Sequence, residues 1–265
     1  MKALNPWKGL PAVLALTAAA GCLAGCVEIE ESLTLRHDLS GTAVFTLTVD
    51  NDPWMKQAAL VKHLSDGKPG DPTPAEIDAT RETLAGIRAD AGDSAKNEAM
   101  FKQHFKDTIP PGVRLLTMTI EQQGTKTVTR AEFAFDDVRM LPMIGMSQEV
   151  TDNWPTPDIR EQPFCGLEVI DEGKTVLVTH AEADPLERIL QDPRQPGIDS
   201  NSSPEVRKQT EAALSSARLV FRIESPMEVV DTNAELRRGR SLSWEVKGSD
   251  PIAKRERTLT ARFKK

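Results

Sequence analysis

Tyrosine is absent from this 265-residue chain, aromatic residues make up only 5%, and cysteine occurs three times. Glycan sites and base-stacking platforms are built from exposed aromatic rings, so a chain with four tryptophans and no tyrosine is a poor basis for either. No segment stays apolar over the ~20 residues that a membrane-spanning helix needs. The four histidines, at positions 37, 63, 104 and 180, are too far apart in sequence to form a local metal-ligand pair. An excess of basic residues is missing as well: 33 Lys and Arg stand against 40 Asp and Glu, a net charge of −7, which argues against nucleic-acid binding.

What is present begins at the first residue. MKALNPWKG carries Lys2 and Lys8 and no acid, and residues 10–20, LPAVLALTAAA, are almost wholly apolar. This is the charged and then apolar plan of a secretory signal. It ends at Leu23-Ala24-Gly25-Cys26, which resembles the lipobox of bacterial lipoproteins: a Leu, two small residues and a Cys. That resemblance implies cleavage of residues 1–25, a diacylglyceryl thioether on Cys26, and acylation of the freed amine. Cys22, preceded by Ala19-Ala20-Gly21, lacks the large apolar residue. Two or three acyl chains would hold the protein firmly on a membrane where one would not. Val27 stands where enteric lipoproteins kept at the inner membrane carry Asp, so the periplasmic face of the outer membrane is the expected site if the cell has one.

Removing 25 residues leaves 240, residues 26–265, enough for one large domain. The leader holds two lysines and no acid, so the mature part has 31 basic and 40 acidic residues, a net charge near −9. With Cys26 acylated, only Cys165 remains and no internal disulfide can form. In QPFCGLEV it opens an apolar strand, where a small buried hydrophobe is preferred over a reactive thiol.

Hairpins recur along the mature chain. Residues 32–50 alternate apolar and polar positions on both sides of Asp38-Leu39-Ser40-Gly41, with Gly supplying the turn. Residues 113–137 repeat this around Gly124, and residues 164–183 around Asp171-Glu172-Gly173-Lys174. Residues 217–225, 240–248 and 257–263 complete the predicted strands. Helices are expected over 54–64, from Thr73-Pro74-Ala75-Glu76 (a capping box with Pro at the first helical position), over 94–106, from Asp184, and over 203–216. The expected fold class is α+β, an antiparallel or mixed sheet built from hairpins, with a helical insertion at 54–108.

Several chemical motifs fail on their context. Gly173-Lys174-Thr175 ends like a phosphate loop, but Glu168 stands where that loop needs Gly. Ser65-Asp66-Gly67-Lys68 has the S-x-x-K spelling of penicillin-binding enzymes, yet Gly67, Pro69 and Gly70 forbid the helix that would bring Lys to Ser. GDSAK at 92–96 shares letters with a lipolytic signature and lacks its later His block. Asp50-Asn51-Asp52 is too short for a calcium loop and reads as a strand terminator. No catalytic, cofactor or metal residue is assigned, and the protein is expected not to be an enzyme.

Two stretches remain for binding. RMLPMIGMSQ, residues 139–148, places Met140, Met143 and Met146 around Leu141 and Ile144. This is either a core-packing connector or a soft apolar wall for an acyl chain or partner. ELRRGRSLSW, residues 235–244, sets Arg237, Arg238 and Arg240 at a Gly turn, either solvated or facing phosphate headgroups. The hairpin following Cys26, together with residues 221–248, resembles the LppM-type domain of bacterial envelope lipoproteins. Pro226, Val229, Asn233 and Trp244 take the places of its recurring Pro, Val, Asn and Trp, while Ala234 replaces the usual Gly. The resemblance implies an envelope domain with no established reaction that binds an amphiphile or a partner. The expected function is therefore a lipid-anchored, non-enzymatic envelope protein binding a lipid-like ligand or an envelope protein. The alternative is a structural or assembly-factor subunit without its own ligand.

Overall fold

The alternating pattern that begins at Val27 produces a long hairpin: β1 (Val27–Leu35) pairs antiparallel with β2 (Gly41–Asp50) over its whole length. The computed structural model describes residues 27–50, 52–68, 70–90, 103, 108–144, 163–180, 215–251, 254 and 257–265. The turn corrects the sequence expectation. Leu39 takes the left-handed conformation (φ 66°), buried under the hairpin, while the Asp38 carboxylate accepts from the Ser40 amide at 3.1 Å and hydroxyl at 2.7 Å. Gly41 is required for another reason: a Cβ there would lie 1.8 Å from the Thr34 carbonyl oxygen.

The next strands are β3 (Val113–Gln123) and β4 (Lys126–Phe135), joined at Gly124 (φ 63°), then β5 (Leu167–Asp171) and β6 (Thr175–His180), joined at Gly173 (φ 86°). The chain ends with β7 (Arg218–Glu224), β8 (Glu228–Thr232), β9 (Leu236–Arg238), β10 (Ser241–Lys247) and β11 (Leu259–Lys264). All six strand regions expected from sequence form strands; β8 and β9 are additional. They build two sheets: a seven-stranded one in the order β3-β4-β2-β1-β7-β10-β9 and a four-stranded one in the order β5-β6-β11-β8. The larger is mixed, because β1 and β7 pair in parallel; the pairs of the smaller are all antiparallel. With the helices below, the fold is α+β.

The sheets stack face to face. Leu33, Phe45, Phe133, Phe135, Phe221 and Trp244 of the large sheet join Val176, Val178, Ala261 and Phe263 of the small one in a single buried cluster. Period-two alternation leaves the other face of the large sheet polar. Arg218 pairs there with Glu28 and with Glu245 (2.8 Å), and Arg222 with Glu30 (3.3 Å). Partly exposed pairs of this kind contribute about 0–1 kcal/mol each, so they favour the register more than they hold the fold.

Between β2 and β3 the described residues form two packed helices, α1 (Asp52–Ser65) and α2 (Pro74–Asp90). The capping box is present: the Glu76 carboxylate accepts from the Thr73 amide at 2.8 Å, and the Glu76 amide donates to Thr73 Oγ1 at 3.3 Å. The helices expected over 94–106, from Asp184 and over 203–216 fall almost wholly outside the described residues. Cys165 departs from expectation: it occupies the half-buried turn before β5 rather than opening the strand, which starts at Leu167.

Candidate functional site

The inner faces of β1 and β6 each carry one polar residue where the pattern calls for an apolar one. Along β1 the inward positions run Ile29, Glu31, Leu33, Leu35; along β6 they run Val176, Val178, His180. The stacked sheets bring the two misfits together. His180 Nε2 lies 2.7 Å from Glu31 Oε2, and Glu31 Oε1 accepts from the Phe164 amide at 2.7 Å. Glu31 is 3% exposed and His180 0%. Both oxygens of the buried Glu31 carboxyl are thus engaged, one by the His180 ring and the other by a backbone amide. Phe164 is itself left-handed (φ 60°), a conformation that costs an ordinary residue about 1–2 kcal/mol and that the Glu31 bond helps hold. The His180 ring sits 4.6 Å from Phe221, whose ring stacks 5.5 Å from Trp244.

A second polar tie continues from that ring. Trp244 Nε1 donates to Asn233 Oδ1 at 2.8 Å, the Thr260 amide donates to the same oxygen at 2.9 Å, and Asn233 Nδ2 donates to the Thr258 carbonyl at 2.8 Å. Asn233 thus joins β10 of the large sheet to β11 of the small one. The other residues that carry the LppM-type resemblance have related work. Pro226 lies where the chain leaves the large sheet for the small one, and Val229 buries its side chain on β8. Ala234 needs no left-handed backbone; its amide donates to Thr232 Oγ1 at 3.0 Å, so the missing Gly is tolerated.

The Glu31–His180 tie is closed to a substrate; Asn233 lies at the surface with its amide engaged by Trp244, Thr260 and Thr258. Buried this deeply, the Glu31–His180 pair serves to hold one sheet on the other. A second histidine–carboxylate contact, His63 Nδ1 to Glu76 Oε2 at 3.0 Å, serves the helical pair in the same way. Lys68 stands 2.6 Å from Glu76; that contact, the Thr73 amide and His63 hold the Glu76 carboxyl far below the usual carboxylate range. Among the described residues no group of His, Cys, Asp and Glu could hold a metal ion. Gly173-Lys174-Thr175 is the β5–β6 turn and Ser65 ends a helix instead of starting one, so both motifs are set aside by the fold as well as by sequence.

The residues singled out for binding lie at the surface, in two places. Asp137 opens a 3₁₀ helix, Val138–Met143, by accepting from the Arg139 amide at 2.9 Å, and the adjacent Arg139 guanidinium holds the Asp137 carboxyl below its ordinary value. Val138, Leu141 and Ile144, one 3₁₀ turn apart, are buried. Met140 packs half-buried beside them and Met143 is 45% exposed. The stretch is thus mostly a core connector with one methionine outside it; Met146 lies outside the described residues.

Arg237, Arg238 and Arg240 surround the β9–β10 turn, where Gly239 has φ 60°. Arg237 reaches across to the small sheet and donates to the Val229 carbonyl at 3.4 Å, so two edge strands, β8 and β9, lie side by side. Arg238 and Arg240 pair with no carboxylate among the described residues. Val230 is passed over in the β8–β11 register, a bulge that leaves it 55% exposed, and Leu236 on β9 is 46% exposed. Arg237 lies opposite the buried Leu242 and so faces the small sheet, whereas Leu236 and Arg238, opposite Ser243 and Ser241, share the outer face of β9; Val230 is exposed on the neighbouring edge strand β8. In the large sheet, β4 (which leads into the 3₁₀ helix) and β10 are four strand spacings apart, about 19 Å. The Met and Arg candidates are not one site.

The fold and these surfaces define a two-sheet α+β domain with a buried Glu31–His180 tie between the sheets and a basic turn between β9 and β10. No family model matches the chain, and no curated protein does. Among solved structures it is similar to the folded domain of LppM from Mycobacterium tuberculosis, with 12% identity, a TM-score of 0.43, and coverage of 91% of each chain.

Proposed function

We propose that the protein is a lipid-anchored component of the bacterial cell envelope that acts by binding, through the corner formed by β8 and β9, an envelope protein with an acidic, partly apolar contact segment. The observation that carries this reading is the outward face of the edge strand β9, where exposed Leu236 stands two residues from Arg238 and the following turn carries Arg240. A short edge strand can accept an added strand from a partner, its backbone groups supplying affinity and its flanking side chains specificity. Unpaired guanidinia suit carboxylates or phosphates in bidentate fashion. The anchor rests on Leu23-Ala24-Gly25-Cys26, and Val27 favours the outer membrane if the cell has one.

The test is purification of the protein from its own membrane, with the mass of the Cys26 peptide measured and the intact assembly weighed by native mass spectrometry. The reading expects an acylated Cys26 and a stoichiometric protein partner that is lost from Arg238→Glu/Arg240→Glu while the thermal unfolding midpoint is kept. An unmodified Cys26 thiol refutes the anchor. A partner retained by the double variant refutes the corner, and a co-purified amphiphile in place of a protein assigns the site to a lipid-like ligand instead.

A further inference from the structure

The place where β1 begins fixes which end of the domain meets the bilayer, an inference that rests on acylation of Cys26. Val27, bonded directly to Cys26, is already the first residue of β1 and is registered with Val49 of β2; Glu28 is registered with Arg218 of β7 on the other side. No linker residue separates the acceptor from the sheet. A Cα–Cα step is ~3.8 Å, so lipid on Cys26 cannot leave the Val27 end without unzipping a strand held along both its edges.

Register then assigns every other strand end in the large sheet. Beside Val27 stand the end of β2 at Asp50, the β3–β4 turn with Gln123 and Lys126, the start of β7 at Arg218, and the end of β10 at Lys247. At the opposite end stand Leu35 and the β1–β2 turn, the end of β4, the end of β7 at Glu224, and the start of β10 at Ser241. Both binding candidates belong to that far end. Arg238 is registered with Ser241, and Val138, which opens the 3₁₀ helix, donates its amide to the Leu39 carbonyl in the β1–β2 turn. At ~3.3 Å per residue, the nine residues of β1 separate the two ends by about 26 Å, several times the ~8 Å over which surface charge acts at physiological salt.

We infer that the domain stands end-on, with phospholipid headgroups as the partner of the rim formed by Val27, the β3–β4 turn around Lys126, and the Lys247–Gly248 corner. The end bearing Met143, Arg238 and Arg240 faces away from the bilayer that holds the anchor. The arginines therefore do not read the headgroups of that bilayer.

The experiment uses the full chain, produced with its leader in a bacterial host that acylates lipoproteins and reconstituted in phosphatidylcholine–phosphatidylglycerol vesicles. Cys165 is replaced by Ser, and a fluorophore is placed at Lys126→Cys or at His37→Cys, an exposed position in the far turn. A quencher carried on lipid headgroups is expected to reduce the emission of the 126 probe several-fold and leave the 37 probe unchanged. Hydrogen exchange on the unlabelled protein gives a second readout: on moving from detergent to vesicles, amides 123–126 slow and amides 36–40 do not. Equal or stronger quenching at 37, or protection confined to 36–40, with Cys26 shown to be acylated, overturns the orientation alone. Absence of lipid on Cys26 overturns the anchor and the orientation with it.

Discussion

Deleting the Glu31 carboxylate should cost the protein a large share of its stability. The carboxyl group makes two hydrogen bonds of 2.7 Å, one with His180 and one from the Phe164 amide, in a site almost closed to water. Hydrogen bonds to a charged group are worth about 1.5–3 kcal/mol each, and removing one member of a buried pair costs about 3–5 kcal/mol because its partner is left stranded. Glu31→Ala also opens a small void and releases the left-handed backbone of Phe164, which brings the expected loss to roughly 4–6 kcal/mol. Against a typical total of about 5–15 kcal/mol, the variant is marginal or unfolded at ambient temperature. The assay is urea unfolding of residues 27–265. At an m-value of about 3 kcal/mol per molar urea, the midpoint falls by more than 1 M. His180→Ala should be costly as well, and the double variant should fall short of the sum of the singles by about 1–3 kcal/mol, since both remove one interaction. A loss under about 1 kcal/mol for Glu31→Ala, or strict additivity in the cycle, refutes the claim that this pair ties the sheets.

The second tie and the helical pair give two smaller expectations. Asn233→Ala removes one acceptor shared by the Trp244 indole and the Thr260 amide, and the donor to Thr258; it should cost about 1.5–3 kcal/mol in urea unfolding, with a shifted Trp244 indole proton resonance. A cost below about 0.5 kcal/mol contradicts that role. Because the folded state holds the Glu76 carboxyl far below its ordinary value, the stabilisation it gives is complete above the normal glutamate range and disappears as pH falls through the depressed folded value. Amides of α1 and α2 should therefore lose exchange protection in strong acid before those of the sheets, and Glu76→Gln should abolish that selective acid loss.

Much of this fold could be read from local sequence. The turns at Gly124 and Gly173 and the alternating runs beside them are local signals, and so is the Thr73–Glu76 capping box. The missed strands are those whose local signal is broken. In β8 the bulge at Val230 interrupts the alternation, and β9 is three exposed residues, two of them arginines. The parallel pairing of β1 with β7 joins residues 190 apart, as the Glu28–Arg218 contact records, and no local pattern announces it. Gly41 was legible as a required glycine but not for its reason, a close approach to the Thr34 carbonyl. Glu31 and His180 did leave a trace, since each is the polar exception on an apolar strand face. What sequence alone withholds is that the two faces meet, and hence that the exceptions answer one another.

That distinction separates residues the architecture needs from residues available for function. Pro226, Val229, Asn233 and Trp244, which carry the likeness to LppM-type domains, serve the sheet crossover, the core and a tie between the sheets. Such residues can recur wherever the fold recurs and need say nothing about a ligand. Glu31 and His180, chemically the most suggestive pair in the chain, are spent on the interior. Met143, Val230, Leu236, Arg238 and Arg240 have no comparable duty: they are exposed, and the two arginines pair with no carboxylate among the described residues. Exposed apolar side chains on strand edges invite aggregation unless something covers them. Two edge strands carry a bulge, at Leu116 in β3 and Val230 in β8, and each bulge leaves an aliphatic side chain exposed.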